Sequence, residues 1–269
     1  LPPSSPTPYL CPMSRSLAFL IEYDGTDFAG WQFQPNGVSV QEVLERAVEE
    51  CFGVVVPVVG SGRTDSGVHA RGQVAHVHVL DGANTIPTEK VALALNRRLP
   101  RSVRIRKVVD VPADFHARFS ARSREYVYVI TDTPSVFDMR YAWTPSIPFD
   151  RGLLGNAARI FVGKHDFTTF SKLNADTASY VCDVETCRVE TLSDRLLIRI
   201  RADRFVYGMC RAIVGVMFDV ARGRRSLDDV TEALRDRDRR RVSPLAPPTG
   251  LFLNRISYPH GIFEHEPAL

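Results

Sequence analysis

The sequence predicts a mixed α+β or α/β fold, in which strands and helices alternate through two halves of similar size. Runs of apolar and β-branched residues alternate with segments that repeat apolar residues at helical spacing. Three Pro between Thr133 and Phe149 mark the division. We therefore expect a first half at 17–132 and a second at 133–259, with a flexible N-terminal tail at 1–16 and a C-terminal tail at 260–269.

The first half contains five runs that predict strands, at 17–24, 54–59, 74–80, 103–109 and 126–131. A helix at about 39–51 begins with the capping-box pattern of Ser39 and Glu42 and continues with apolar residues at helical spacing. A second helix is predicted at 87–99, with Pro87 near its first turn. Because the strand at 54–59 ends in Gly60-Ser61-Gly62, we expect the chain to leave the sheet just before Asp65.

The second half follows the same logic. Helices are predicted at 153–162, ending at Gly163, at 207–221, ending near Gly223, and at 226–235, with Ser226 as the N-cap. The segments at 184–191 and 196–202 resemble a hairpin, and 251–258 is a last strand. Periodicity alone leaves open whether the two halves share one sheet.

Composition excludes several classes of protein. No apolar run approaches the roughly 20 residues that span a bilayer, and the first dozen residues lack the pattern of a signal peptide. Five Cys are an odd number, so we expect reduced thiols in a cytoplasmic protein. We expect no metal site, because His76 and His78 lack a third ligand of suitable spacing and Cys182 and Cys187 should face opposite sides of a strand.

The basic residues are mostly Arg and are unevenly spread. Only four of the 34 basic residues are Lys. Nine basic residues lie between Arg97 and Arg124, against only Asp110 and Asp114. Such a patch attracts nucleic acid by displacing counterions, although a solvated basic face gives the same pattern.

The most informative stretch is Gly60 to His76, G-S-G-R-T-D-S-G-V-H-A-R-G-Q-V-A-H. Its loop carries Arg63, Asp65 and His69 among small residues, which let a substrate approach the backbone. A lone Asp in a Gly-rich loop is usually a turn former, so Asp65 by itself is a weak candidate for catalysis.

The whole string, however, resembles the catalytic loop of pseudouridine synthases, and in particular that of the TruA family of tRNA pseudouridine synthases. Four other segments match this family in the same order: Glu22–Thr26 with Gly30–Gln32, Phe115–Ala121 followed by Tyr126–Tyr128, Phe205–Gly215, and Gly250–Leu253. The resemblance spans roughly Leu17 to Pro259. It implies an α+β pseudouridine synthase fold, with two similar halves, mainly antiparallel sheets flanked by helices, and an active-site cleft between the halves.

The resemblance also implies a role for particular residues. Asp65 matches the catalytic aspartate, which acts as a nucleophile. The sequence leaves open which atom it attacks and whether it first acts as a base at the sugar. Arg211 matches the arginine that pairs with this aspartate. Tyr126 matches the tyrosine that stacks on the target uracil. Arg63 matches the arginine that fills the gap left when the base is flipped out.

Further matched positions are implied to contact the substrate. Phe115, His116, Ala117, Arg118 and Phe119 match a tRNA-contacting stretch, with Arg118 as the phosphate contact, and Leu251 and Leu253 are implied to wall the uracil pocket. Two features depart from the family pattern. The loop Asn174–Tyr180 lacks Arg and contains Asp176, which puts the RNA contacts of this loop in doubt but not the chemistry. Arg204 stands where a small residue or Asn is common.

The implied activity is the isomerisation of uridine to pseudouridine at positions 38, 39 and 40 of the tRNA anticodon arm, with no cofactor and no metal. The implied assembly is a homodimer with one tRNA spanning both subunits. Two alternatives stay open at this point. One is the same chemistry on a different RNA, and the other is a non-catalytic RNA-binding protein that uses the same basic groove.

Overall fold

The computed structural model describes residues 15–79, 83–172, 177–241, 243–259 and 261–263. The predicted tails therefore lie outside the described residues, except at their inner ends. Five α-helices occur in this part of the chain: α1 Val40–Phe52, α2 Thr88–Asn96, α3 Arg151–Ile160, α4 Met209–Ala221 and α5 Leu227–Asp236. The strands are β1 Arg15–Tyr23, β2 Val59–Gly60, β3 His69–Val79, β4 Val103–Asp110, β5 Ser123–Thr131, β6 Gly163–Asp166, β7 Val181–Leu192, β8 Arg195–Ala202 and β9 Leu251–Ser257.

The described strands form one sheet that joins the two halves of the chain. Its order is β4-β1-β3-β9-β5-β8-β7-β6, with β2 paired to β3 outside this path. Neighbours are antiparallel except β3 and β9, which run parallel. Strand β9 comes from the second half and lies between β3 and β5 of the first. The predicted α+β class with mainly antiparallel pairing is confirmed, and the question of one sheet or two is answered as one.

One face of this sheet carries the main core. Tyr126, Tyr128 and Ile130 of β5 belong to the same apolar cluster as the buried residues of the helices. The intervening Val127 and Val129 join a smaller cluster with Ala142, Leu197 and Phe252. This alternation follows from the two-residue period of a strand, and it places Tyr126 on the helix-bearing face.

The helices begin where their capping residues predict. The Ser39 hydroxyl accepts a hydrogen bond from the backbone N–H of Glu42, which starts α1. Ser226 and Asp229 form a reciprocal capping box at the start of α5. Gly223 was predicted to end α4, and it adopts a positive φ of 67° just after the C-cap of that helix.

The strand predicted at 54–59 is wrong for most of its length, because only Val59 pairs, as the first residue of β2. The backbone N–H of Val58 donates to the Glu45 carboxylate at 3.0 Å rather than to a neighbouring strand. Pro57 has no N–H to donate, and Val55 is 80% exposed. The short strand β6 was not predicted, since its sequence Gly-Lys-His-Asp lacks β-branched residues.

The expectation that Cys182 and Cys187 face opposite sides is also wrong. Both side chains are buried in the main core. The pairing of β7 with β8 shifts register between Val184 and Thr186, which is a β-bulge. An extra residue reverses the facing of everything after it, so two positions of opposite parity come to share one side.

Among the described residues, no helix combines the length and the apolar character needed to cross a membrane.

Candidate active site

The loop that carries Asp65 connects β2 to β3 and is held at its beginning by Gln73. The Gln73 side-chain amide donates to the Gly62 carbonyl at 2.8 Å and accepts from the Ser61 hydroxyl at 3.0 Å. The Ser61 backbone N–H also donates to the Val74 carbonyl. A Cβ at Gly60 would lie 2.4 Å from the Trp31 ring, so only glycine lets the chain turn here against that ring.

The middle of the loop is fixed by residues from the first part of the chain. The Trp31 backbone N–H donates to the Thr64 carbonyl at 3.1 Å, and the hydroxyls of Tyr23 and Thr64 are 2.8 Å apart. The Val68 backbone N–H donates to the Asp65 carbonyl at 3.1 Å. These bonds fix the backbone of the loop on both sides of Asp65 and do not involve its side chain.

The Asp65 carboxylate meets the Arg211 guanidinium from the first turn of α4. Nη1 of Arg211 donates to Oδ2 of Asp65 at 3.0 Å, and its Nε donates to the Ala246 carbonyl at 2.8 Å. The side chains are 17% and 14% exposed for Arg211 and Asp65. A buried Arg needs a partner, and a second bond to a carbonyl fixes the plane of its guanidinium. The pairing predicted from the sequence is therefore present.

Tyr126 lies beside this pair on β5. Its ring meets the Phe205 ring edge to face, with centroids 4.9 Å apart. A Cβ at Gly62 would lie 3.9 Å from the Tyr126 hydroxyl and 3.8 Å from Leu253 Cδ2, so the loop passes directly over both. Burial raises the pKa of the Tyr126 hydroxyl, and the nearby Asp65 charge raises it further, so the hydroxyl stays neutral at physiological pH.

A cleft of roughly 970 Å³ opens over these residues. Of the side chains predicted to act, eight line it: Arg63, Asp65, His116, Arg118, Phe119, Tyr126, Arg211 and Leu251. Three others do not line it and are buried beneath the surface: Phe115, Ala117 and Leu253. These three lie in the core next to the cleft rather than on its wall.

The buried residues hold the exposed part of the 115–121 loop in place. The Ala117 N–H donates to Nδ1 of His76 at 3.2 Å, and the Tyr258 hydroxyl donates to the Ala117 carbonyl at 2.7 Å. His76 thus supports the backbone of the 115–121 loop. On the outer side of the loop, Phe119 is 76% exposed and the Arg118 guanidinium lies 5.6 Å from its ring centroid.

Arg124 joins three walls of the cleft, a role that the sequence did not predict. Its guanidinium donates to the carbonyls of Ser61, Ala121 and Asp203 at 3.3, 3.2 and 2.8 Å, and also to that of Arg118. The catalytic loop, the 115–121 loop and the end of β8 are thereby held together. The sequence indicated Arg124 only as the last member of the basic patch that begins at Arg97, and the structure adds that it lies on β5, two residues before Tyr126 and on the same face.

The cleft is strongly basic. Its described lining includes Arg63, Arg118, Arg122, Arg124, Arg204 and Arg211, against only Asp65 and Asp203. Asp65 is paired with Arg211, so the other arginines leave the cleft with a positive charge. The cleft is also of suitable size for a nucleotide. Low-dielectric walls concentrate such a field and favour phosphate.

Two further predictions concern the rim of the cleft and metal binding. Asn174, Ala175 and Asp176 of the divergent loop lie outside the described residues, whereas Thr177 and Ala178 line the cleft. The rings of His76 and His78 are 4.8 Å apart. In the part of the chain that the structure describes, no group of three or more His, Cys, Asp or Glu is placed to hold a metal ion.

Comparison with known proteins gives this geometry its context. The family model described as tRNA pseudouridine synthase matches residues 20–120 and 157–259. A relative from Brevibacillus brevis named tRNA pseudouridine synthase A is 40% identical over 246 residues, which cover 91% of this chain and 100% of the relative. Relatives with the same name from Bacteroides thetaiotaomicron and Chlamydia trachomatis are 38% and 34% identical, over 94% and 92% of this chain and 94% and 93% of their own lengths.

Among solved structures, a chain of a Cbf5-Nop10-Gar1 complex matches with a TM-score of 0.34 and 12% identity, over 76% of this chain and 45% of that one. The sequence matches cover most of the chain and confirm the resemblance from which the site residues were predicted. The chain belongs to the tRNA pseudouridine synthase family.

Proposed function

We propose that this protein isomerises uridine to pseudouridine in tRNA. Its family membership supports this activity, and one observation carries the proposal for the site. A carboxylate, Asp65, is held by Arg211 beside the buried aromatic ring of Tyr126, in a cleft whose remaining charge is positive. A protein that only bound RNA would have no need of a carboxylate facing phosphates.

The reaction is a rearrangement in which atoms and electrons balance within the substrate. The bond between C1′ of the ribose and N1 of uracil breaks, the base turns, and a bond from C1′ to C5 forms. C5 loses its hydrogen as a proton and N1 gains one. The step consumes no oxidant and transfers no phosphate, so the proposal requires neither a redox cofactor nor ATP.

Asp65 acts as the nucleophile in this proposal. A carboxylate can act as a nucleophile and form a covalent intermediate. Arg211 holds the carboxylate in one orientation through its own second bond to Ala246. A fixed, charge-assisted pair in a partly closed site saves the cost of organising the nucleophile in each turnover.

Tyr126 supplies a flat apolar surface for the uracil ring, and Leu251 lines the same cleft. The base must leave its helix to reach them, at a cost of a few kcal/mol. Arg63 is exposed at the cleft and can occupy the place that the flipped base leaves in the RNA helix. Arg118 and Phe119 contact the RNA backbone. Phe115, Ala117 and Leu253 support these residues from the core.

Three finer proposals rest on the family resemblance alone. The target uridines are at positions 38, 39 and 40 of the anticodon arm. The active form is a homodimer that binds one tRNA across both subunits, for which light scattering should give twice the mass of one chain. The enzyme works in the cytoplasm.

Release of the C5 hydrogen tests the activity. Purified protein is incubated with tRNA made with uridine tritiated at C5, and tritium in water is counted. We expect release by the wild type and at least a thousandfold slower release by Asp65→Asn, with tRNA binding retained. The exposed carboxylate of Asp27 supplies the matched control Asp27→Asn. Binding of tRNA without release from any RNA tested would instead indicate a binding protein, and release only from another RNA would indicate a different substrate.

A further inference from the structure

Tyr207 is an aromatic residue at the cleft that the proposed reaction does not use. It lies in the segment between β8 and α4, lines the same cleft as Asp65, and is 45% exposed. Two residues earlier, Phe205 packs against Tyr126. The segment between β8 and α4 therefore packs one ring, that of Phe205, against Tyr126 and exposes a second ring, that of Tyr207, at the cleft.

The position of Tyr207 is fixed although its ring is open. Its carbonyl accepts from the backbone N–H of Lys172 at 3.0 Å and from the Ser171 hydroxyl at 3.4 Å. The next residue, Gly208, has a φ of 77° and is the N-cap of α4. A ring held by its backbone in this way loses little freedom when a ligand stacks on it.

Lys172 adds a charge to this ring. Its Nζ lies 5.1 Å from the Tyr207 ring centroid, which is within the range of a cation–π contact. Lysine is scarce in this chain, at four residues in 269, and this one stands beside an exposed aromatic ring at the cleft. The pair therefore offers an apolar surface and a positive charge together.

The same arrangement occurs a second time at this cleft, where the Arg118 guanidinium lies against the exposed Phe119 ring. A single exposed aromatic residue needs no special explanation. Two aromatic–cation pairs on one basic cleft do, and this combination is typical of surfaces that bind unpaired nucleotides, where bases stack on rings and cations meet phosphates.

We propose that Tyr207 and Lys172 form a binding site for an unpaired nucleotide next to the target uridine. The inference rests on the proposed function, since flipping a base leaves its neighbour without a stacking partner. Tyr207 stacks on that neighbouring base, and Lys172 meets its phosphate. The site tolerates different bases, because every base has a flat apolar face.

Three variants test the site in the full-length protein: Tyr207→Ala, Tyr207→Phe and Phe137→Ala. Phe137 is 86% exposed and does not line the cleft, so it is a matched control for the loss of an exposed ring. The probe is an RNA stem-loop with 2-aminopurine beside the target uridine. We expect Tyr207→Ala to weaken binding about 5- to 100-fold and to abolish quenching of the 2-aminopurine fluorescence. Tyr207→Phe and Phe137→Ala should bind and quench as the wild type does.

The effect should appear in KM and leave kcat at saturating RNA within about threefold, because Tyr207 does not touch the reacting atoms. Lys172→Met should reduce the slope of log Kd against log salt by about one, whereas Tyr207→Ala should leave the slope unchanged. Binding by Tyr207→Ala within twofold of the wild type would overturn the proposal, as would an equal loss in Phe137→Ala.

The two proposals fail separately. If Tyr207→Ala binds normally while the wild type forms pseudouridine and Asp65→Asn does not, the nucleotide site is wrong and the function stands. If the wild type releases no tritium from any RNA but Tyr207→Ala still weakens binding, the function is wrong and the binding site stands.

Discussion

The Arg211 guanidinium donates to the Asp65 carboxylate at 3.0 Å, although 146 residues separate the two in the chain. Asp65 comes from a loop of the first half and Arg211 from the first turn of α4 in the second. The pair is mostly buried, and Arg211 is tied again to Ala246. The geometry of the site therefore depends on how the single sheet brings the two halves of the chain together.

Replacing Arg211 by Met should lower kcat by about 100- to 1,000-fold, because the Asp65 carboxylate loses the donor that orients it. It should also lower the free energy of unfolding by about 3 kcal/mol, since an unpaired charge stays partly buried. Steady-state kinetics and urea unfolding measure the two effects. Arg159→Met, on the exposed surface of α3, is the control and should change neither.

The double variant Asp65→Asn/Arg211→Met tests whether the two residues act as one unit. We expect kcat for the double variant to be about that of Asp65→Asn alone, because the role of Arg211 is exercised through Asp65. Losses that multiply would show that Arg211 acts independently of the carboxylate.

Tyr126 should act through its ring more than through its hydroxyl. Tyr126→Phe keeps the ring and the contact with Phe205, so we expect kcat/KM within about tenfold of the wild type. Tyr126→Leu removes the flat surface and should cost at least about 100-fold. Tyr128→Phe is the matched control, because it breaks only a buried bond to the Pro247 carbonyl. It should lower stability by about 1 kcal/mol and leave kcat unchanged.

Arg124 should be needed for stability and for RNA binding alike. Arg124→Met leaves several carbonyls without their donor, and we expect a loss on the order of 3 kcal/mol in urea unfolding. RNA binding should weaken, because the loop that carries Arg118 and Phe119 loses the hydrogen bonds that Arg124 donates to its carbonyls. Arg124→Lys has three donors without the planar fork and should be intermediate in both measurements. An Arg124→Met protein as stable as the wild type would contradict this account.

Protonation of His76 should destabilise the protein in mild acid. Burial, with a contribution from His78 and His116, lowers the pKa of His76 from 6.5 to about 4. The unfolded chain binds this proton more readily, so the contribution to stability is present above pH 6.5 and is lost as the pH falls towards 4.

Urea unfolding between pH 7.5 and 4.5 measures this loss, which we expect to be on the order of 3 kcal/mol. His76→Asn keeps an acceptor for the Ala117 N–H and does not titrate, so its stability should change less over this window. Curves of equal slope for the two proteins would assign the acid sensitivity to other groups.

Elements with strong periodicity or clear caps were predictable from the sequence, as α1, α4 and α5 show. Local pattern failed where a tertiary contact decides the outcome. Val58 bonds to Glu45 instead of a strand, and the bulge in β7 brings Cys182 and Cys187 to one side. Neither the bond from Val58 to Glu45 nor the bulge in β7 can be recognised from the spacing of apolar residues. The proposed boundary between halves at 132 and 133 stays a prediction.

The site was predictable only through resemblance, because Asp65 alone looks like a turn former. Arg63 and Arg118, which lie within short segments that resemble the family, do line the cleft. Arg124 was predicted only as part of the basic patch, and no role was predicted for Tyr207, because the importance of both lies in contacts with segments far away in the chain. Such contacts become visible only after the sheet has brought these segments together.

Mapping of pseudouridine at single-nucleotide resolution tests whether the protein modifies tRNA and whether Asp65 is required. Unmodified tRNA is incubated with wild-type protein or with Asp65→Asn, and pseudouridines are located by chemical labelling and primer extension. We predict new pseudouridine at positions 38, 39 or 40 with the wild type and none with Asp65→Asn, although both proteins bind the tRNA. Equal modification by both proteins would contradict the role of Asp65, and tRNA left unmodified by the folded, tRNA-binding wild type would contradict the proposed activity itself.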